Sequence, residues 1–489
     1  MYGPSLATVA SVRVVTAALC KRRLSPRFAV LLLALGVACA AGCVGDPGST
    51  PRRAYDDKPN VLLVSIDSLR ADHLGFMGYE RATSPVMDRL AKSAVVFDNA
   101  HSSSSWTLPA HAALMTGLPD SAHGVSRGGR AIPAAAETLA EAFSVAGYRT
   151  MGFYSGPFLH PVYGFGRGFD EYVDCSSYGL GSADADPKRL HSASHRDVTG
   201  PIVKRELEAR AASLGRGPWF VFVHLWDVHY DYIPPAPYDT MFDPDYTGSM
   251  TGVKFKGNRD FKPGMDEADR RHVLALYDGE IAWTDDTLGS IVRALLAEQG
   301  DLDNSIVVVT SDHGDEFLEH GGKGHRRTLY EEVLKIPLLL RWPAGLNPRR
   351  VSEAVGLVDL APTLLDLAGL PPMASVVGSS LAGLARGGVE ADRAVLAELN
   401  VPPYLLSAVV QGQSKLITRR RGGRPEYFDL RTDPGEQRPL PADTGGVLSG
   451  RLRGLLDEAD QRALEPLLLS PSDVSPAMEE QLRQLGYVD

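Results

Sequence analysis

The sequence predicts an α/β fold, a doubly wound, mostly parallel sheet followed by a smaller C-terminal antiparallel-sheet subdomain. Three observations predict it. Continuous apolar runs, VLLVSI before Asp67, WFVFVHLW before Asp227 and SIVVVTS before Asp312, have the length and composition of strands buried on both faces. Stretches with helical spacing lie between such runs, the clearest at 269–298, where Val273, Leu276, Tyr277, Ile281, Leu288, Ile291 and Leu295 recur every three, four or seven residues. Beyond residue 390 the pattern becomes short alternating segments, 394–399, 405–411, 415–418 and 425–430, which read as antiparallel strands. With 489 residues, 44% of them hydrophobic and 22% charged, the chain is globular in composition and can bury a large core and a second domain. A net charge of −10 gives no basic footprint for nucleic acid, and the short run from Arg419 to Arg424 reads as a solvated loop.

Taken in order, residues 1–43 form a signal segment. A basic stretch from Lys21 precedes an apolar one from Phe28 to about Ala38, which is too short to span a bilayer comfortably, so an export signal is expected. Ala40-Ala41-Gly42-Cys43 resembles a lipoprotein processing site, which places a lipid anchor on Cys43 and the protein in the bacterial periplasm or on its membrane. With that leader removed and Cys43 acylated, Cys175 is the only cysteine left, so the mature chain has no intramolecular disulfide. Residues 44–58 are a Gly/Pro/Asp/Arg tether. The catalytic domain is expected over 59–375, with further strands at 148–154 and 336–341, a helix at 358–369, and long loops at about 175–200 and 230–266. A Pro/Gly/Ser-rich crossing at 371–392 leads into the C-terminal subdomain, 376–489.

Ligands of a parallel sheet bind at the carboxyl ends of its strands, so Asp67, Asp227, His229, Asp312 and His313 are expected on one rim. Such a cluster is costly unless a divalent cation neutralises it. An imidazole beside the carboxylate in Asp312-His313-Gly314 suits Zn, Mn or Mg better than Ca. Asp67 is either a metal ligand or the cap of the segment 68–74. Thr107, followed by Leu108, Pro109 and AHAALMTG, falls at a helix amino terminus, where it is either a plain N-cap or an alcohol that a nearby cation activates as nucleophile. His111 lies one turn on, on the same face. Asp227 and His229, two apart on a strand, either chelate a second ion or form a substrate-contacting His with its carboxylate partner. Lys323 and His325 in the loop GGKGH are candidates to neutralise or protonate a leaving oxygen, and a solvated loop is the plain reading of Lys323.

Several strings, in order and spacing, resemble the sulfatase family of the alkaline phosphatase superfamily: NVLLVSIDSLRADHLGFMGY, SSWTLPAHAALMTGLPDSAHGV, YDGEIAWTDDTLG, SDHGDEFLEHGGKGH, TLYEEVLKIPLLLRWP, VDLAPTLLDLAGLP and EYFDLRTDPGEQ. The resemblance covers about 60–440 and implies an alkaline-phosphatase-like fold with a divalent metal, one ion or two. It implies that Asp67, Asp312 and His313 bind the metal, that Thr107 stands at the nucleophile position, that His229 contacts substrate, and that Lys323 or His325 lies near the leaving group. The sequence departs from the pattern at that position, where sulfatases carry a Cys or Ser that becomes formylglycine, followed four residues later by Arg. Here the residues are Thr107 and His111, and a secondary alcohol cannot become that aldehyde. Ser68 replaces the second of two paired aspartates, and residues 153–156 replace a Lys-x-His element. Thr-x-Pro-x-His instead resembles the nucleotide pyrophosphatase/phosphodiesterase branch, which uses an unmodified Thr and two metals.

These features imply a metal-dependent hydrolase or transferase of phosphate mono- and diesters, or a sulfatase working without formylglycine. A catalytically silent binding lipoprotein is the reading from another class, and the intact Asp67, Thr107, Asp312 and His313 oppose it. Tyr230, Tyr232, Tyr238, Phe242 and Tyr246 in the long loop fit a small-molecule, glycan or lipid-headgroup ester.

Overall fold

Eight strands build the main sheet: β1 (Asn60–Ile66), β2 (Val95–Phe97), β3 (Arg149–Tyr154), β4 (Glu171–Asp174), β5 (Trp219–Leu225), β6 (Ser305–Ser311), β7 (Leu338–Arg341) and β8 (Arg349–Val351). Their order is β8-β2-β7-β6-β1-β5-β3-β4, and every pairing is parallel except those of β7 with its two neighbours. The computed structural model describes residues 58–176 and 199–469, without 216, 301 and 421, together with 473 and 476. The signal segment, Cys43 and most of the first long loop lie outside them. Among the described residues no helix is long and apolar enough to cross a membrane.

β1 is the central strand and is buried on both faces, as its unbroken apolar run requires. Val61 and Leu63 point into a core shared with α2 (Thr107–Thr116), α3 (Leu139–Val145) and α6 (Leu360–Leu367). Leu62, Val64 and Ile66 point into the opposite core, shared with α1 (Pro85–Ala91), α4 (Gly200–Ala211) and α5 (Glu267–Gln299). Each such side chain contributes roughly 1.5–3 kcal/mol on burial. The register sets the rim. Ile66 pairs with Leu225 on one side and Ser311 on the other, so Asp67 and Asp312 leave neighbouring strands at the same level.

The expected strands 148–154 and 336–341 and helices 269–298 and 358–369 are present with ends shifted by a few residues. The short strands β2, β4 and β8 and the helices α1, α3 and α4 were not legible. Three- and four-residue strands carry too little periodicity, and α4 begins at Gly-Pro in a stretch that reads as loop. The loop 230–266 has no strand and only a short 3₁₀ turn, Phe255–Gly257. It lies against α5 at Gly279, where a Cβ would sit 2.5 Å from the Tyr238 carbonyl oxygen.

The second sheet is antiparallel: β9 (Ala394–Val401), β10 (Tyr404–Gln411), β11 (Ser414–Arg419) and β12 (Glu426–Asp429) in that order, backed by α7 (Gly446–Gln461). It shares a core with the α2 side of the main sheet. Polar seams join the two as well. The Glu398 backbone on β9 donates to Ser103 O (2.9 Å) and accepts from Ser104 Oγ (2.6 Å), just before Thr107. The buried Lys415 on β11 pairs with Glu331 and Glu436, each at 2.9 Å. His320 donates from Nδ1 to Glu332 (2.7 Å) and from Nε2 to Glu436 O (3.2 Å), which fixes it as the cation.

Burial opposes that charge but Glu332 and Glu436 outweigh it, raising the His320 pKa to about 9. A raised histidine pKa stabilises the fold fully below its unfolded value near 6.5 and ceases to do so as pH passes 9. Solvent screening of this partly exposed imidazole reduces the roughly 3 kcal/mol of the full shift, so the wild type should lose about 2 kcal/mol between pH 6.5 and 9.5 relative to His320→Gln, and denaturant melts of both proteins across that range measure it. Parallel curves for the two proteins would mean that the imidazole is not charged in the fold.

Candidate active site

Asp67 follows β1 directly, at a turn that Tyr277 of α5 pins by donating to Ser68 O (2.8 Å) and accepting from Arg70 N (2.9 Å). Ser68 adopts φ 55°, uncommon for a residue with a Cβ, and its N–H thereby reaches Asp312 Oδ1 at 3.1 Å. Asp312 also accepts from His313 N (2.8 Å). His313 Nε2 stands 3.3 Å from Asp312 Oδ2 and 3.9 Å from Asp67 Oδ1. All three side chains are fully buried, and among the described residues the ion-pair partners of both carboxylates are imidazoles rather than Lys or Arg.

Burial alone would raise the Asp67 carboxyl, but His224, His229 and His313 outweigh it and hold the group below the ordinary carboxylate range. Burial and the charge of Asp67 push Asp312 well above that range. Two buried carboxylates so close cannot both stay ionised without a compensating cation, and Asp312 Oδ2 makes no hydrogen bond. The donor set fits a divalent metal ion.

Thr107 opens α2 as its first helical residue; the N-cap is Trp106, which makes no side-chain cap. The plain capping role is thus excluded. Thr107 Oγ1 points instead at the cluster, 3.3 Å from Asp67 Oδ2 and 3.4 Å from His313 Nε2. One turn on, His111 donates from Nδ1 to Thr107 O (2.9 Å) and accepts at Nε2 from Ser65 Oγ (3.0 Å). Burial and then the neighbouring His224 hold its pKa down to about 3, so it is neutral beside Asp312 Oδ2, 3.6 Å away.

A common device orients the other imidazoles. His313 donates from Nδ1 to Gly314 O (3.0 Å), His224 to Ser155 O (2.9 Å) and His229 to Tyr230 O (2.7 Å). A carbonyl oxygen only accepts, so in the neutral ring each proton sits on Nδ1 and the lone pair on Nε2, as a metal or proton acceptor requires. His325 is held through Nδ1 by Asp315 (2.7 Å), which in turn accepts from Tyr232 OH (2.5 Å). Its ring lies 4.3 Å from that of His313 and 5.3 Å from that of His229. Ligand atoms of Asp67, Asp312 and His313 lie within 4.8 Å of one another, as do those of His111, His224 and Asp312, and those of His313, Asp315 and His325.

Two residues are placed otherwise than the sequence suggests. The expectation that Asp227 and His229 share a strand face fails because β5 ends at Leu225 and the chain turns at Trp226, whose carbonyl accepts from His229 N (2.8 Å). Asp227 caps α4, accepting from Thr199 N and Gly200 N at 2.6 Å each, and burial lifts its pKa to about 6 against those bonds. Lys323 Nζ donates to carbonyls of the long loop, Asn258 O and Phe261 O. The amine beside His325 is Lys256, which donates to Tyr230 OH (3.1 Å) and which burial depresses to about 8. Sequence reasoning missed Lys256, Asp315 and His224. The first lies in an aperiodic loop, whereas Asp315 follows Asp312 by three and His224 is the one ionisable residue of an apolar run.

The parallel sheet, its rim of carboxylates and imidazoles and the hydroxyl at a helix start define the class, a hydrolase fold of the alkaline phosphatase superfamily. The chain belongs to the sulfatase family, whose profile, described as Sulfatase, matches residues 59–370. A second profile, N-sulphoglucosamine sulphohydrolase, C-terminal, matches residues 319–445. An arylsulfatase of Clostridium perfringens is 25% identical over 436 residues, 78% of this chain and 89% of that protein. A delta 4,5-hexuronate-2-O-sulfatase of Bacteroides thetaiotaomicron is 24% identical over 469 residues, 86% of this chain and 92% of that protein. Among solved structures, a phosphonate monoester hydrolase of Agrobacterium radiobacter has the same fold, with a TM-score of 0.68 at 23% identity over 83% of this chain and 96% of that one.

Proposed function

We propose that this chain is a metal-dependent hydrolase or transferase of phosphate mono- and diesters in which Thr107 Oγ1 is the attacking atom. The observation that carries this reading is the position of that hydroxyl, at the start of α2, uninvolved in capping and within 3.4 Å of both Asp67 and His313. Asp67, Asp312 and His313 would hold the ion. When bound, a divalent cation lowers the pKa of an adjacent alcohol and offsets charge on the transferring group. Asp67 Oδ2, which already accepts from Thr107, is placed to take its proton. The amino terminus of α2 favours an anionic group in front of Thr107. His325, oriented by Asp315, and Lys256 beside it are the groups that meet the leaving oxygen; burial and then His313 hold the His325 pKa well below its ordinary value, so Lys256 is the charged group that neutralises that oxygen. His229 lines the same rim as a substrate contact, while Lys323 shapes the loop that covers it.

The catalytic domain is taken as 59–375 and the subdomain as 376–489, with a lipid anchor at Cys43 holding the enzyme outside the cytoplasm. Membership of a family whose relatives are named arylsulfatase and hexuronate sulfatase supports a second reading, a sulfatase working through Thr107 without formylglycine. In either reading a glycan ester is a suitable substrate. Metal-reconstituted protein assayed against aryl phosphate, aryl phosphodiester and aryl sulfate should turn over the phosphate esters and leave the sulfate. The opposite ranking would replace the first reading by the second.

A further inference from the structure

We propose that His224 is a direct ligand of the cation assigned above to Asp67, Asp312 and His313, and that the resulting set of two imidazoles and two carboxylates selects a zinc-type ion over magnesium or calcium. This rests on the metal reading of the preceding section.

The register of β5 brings His224 there. It pairs with Ser65 on β1, one row below the rim, and lies on the α2 face with Phe220 and Phe222. The side chain is fully buried, with the His111 ring perpendicular to it at 4.9 Å. Ser155 O fixes the proton of the neutral ring on Nδ1, so the lone pair of Nε2 faces Asp67 Oδ2 at 3.4 Å. That Nε2 is buried and makes no hydrogen bond, and a fully buried polar atom aimed at a carboxylate is the position a bound cation would satisfy. Between the proposed ligands the separations are 3.4 Å (His224 Nε2 to Asp67 Oδ2), 3.3 Å (His313 Nε2 to Asp312 Oδ2) and 3.9 Å (His313 Nε2 to Asp67 Oδ1), and the ligand atoms of His224 and Asp312 lie within 4.8 Å of each other. Tetrahedral bonds of about 2.0–2.1 Å give ligand–ligand edges of roughly 3.3–3.4 Å.

The chain's departures from the sulfatase pattern fit the same conclusion. An Arg is replaced by His111, and a Lys-x-His element by residues 153–156, which contribute the Ser155 carbonyl that orients His224. Among the described residues the ion-pair partners of Asp67 and Asp312 are imidazoles, with no Lys or Arg beside them. Oxygen-only sets suit the hard ions, whereas imidazole suits zinc and its neighbours.

X-ray absorption at the zinc edge of the reconstituted full chain should count two imidazoles per ion, and a count of one overturns the proposal without recourse to any variant. In competition titrations of chelator-stripped protein, zinc should bind at least about 1,000-fold more tightly than magnesium or calcium. His224→Gln should lose more than the roughly 10–100-fold in zinc affinity that an outer partner of a ligand costs, with little change for magnesium, and shift the visible spectrum of the cobalt form. His224→Asp should narrow the zinc-over-calcium preference. A folded His224→Gln with wild-type zinc affinity and an unchanged cobalt spectrum would show that His224 is only an ion-pair partner of Asp67. If stripped wild type binds no divalent ion, the metal reading itself fails; if Asp312→Asn loses metal while His224→Gln keeps it fully, only this proposal does.

Discussion

Thr107→Val is expected to lose at least about three orders of magnitude in turnover while keeping its fold and its bound metal. Val matches Thr in shape, and α2 loses no cap, because Trp106 rather than Thr107 occupies the N-cap position. What disappears is the oxygen aligned on Asp67 and His313. Thr107→Ser keeps that oxygen and should retain appreciable activity, with some loss because the methyl group that fixes the rotamer is gone. Intact-mass analysis of wild type quenched during turnover of a phosphate ester should show an adduct of about 80 Da on the peptide carrying Thr107. Near-normal kcat in the Val protein, with no adduct in wild type, would mean that water attacks directly.

Asp312→Asn should abolish both tight metal binding and activity. The amide keeps one acceptor for Ser68 N and His313 N but removes the charge on the oxygen that faces His313 and His111. The variant separates two effects by sign. In the stripped protein Asp67 and Asp312 repel each other, so the metal-free variant should melt no lower than metal-free wild type. Added zinc should raise the melting temperature of wild type and leave that of the variant unmoved. Full metal occupancy in Asp312→Asn by elemental analysis would remove Asp312 from the ligand set.

Much of this site was legible because three strands announce themselves as unbroken apolar runs and parallel pairing brings their ends level. Asp67, Asp312 and His313 follow from that alone. Asp227 did not, since its role depends on where β5 stops, and strand ends are set by tertiary pairing rather than by the run of apolar residues, which continues through Trp226. His224 was hidden by the opposite effect, an imidazole read as part of a core strand because nothing in the sequence says which row of the strand reaches the rim. Lys256 displaces Lys323 as the amine beside His325 because the path of the loop 230–266 has no period to read.

The hydrogen bonds from β9 to Ser103 and Ser104 and the ion pairs of Lys415 bear on where this enzyme can be cut. The segment that carries Thr107 to the cluster of carboxylates and imidazoles is anchored by a strand nearly three hundred residues later in the chain, and Glu331, close behind His325, is paired with Lys415 of β11. A shortened protein ending near 376 would still contain every side chain of the proposed site. It would lack the strand that backs Ser103 and Ser104 and the amine that pairs with Glu331, so the expected minimal folded unit includes both sheets.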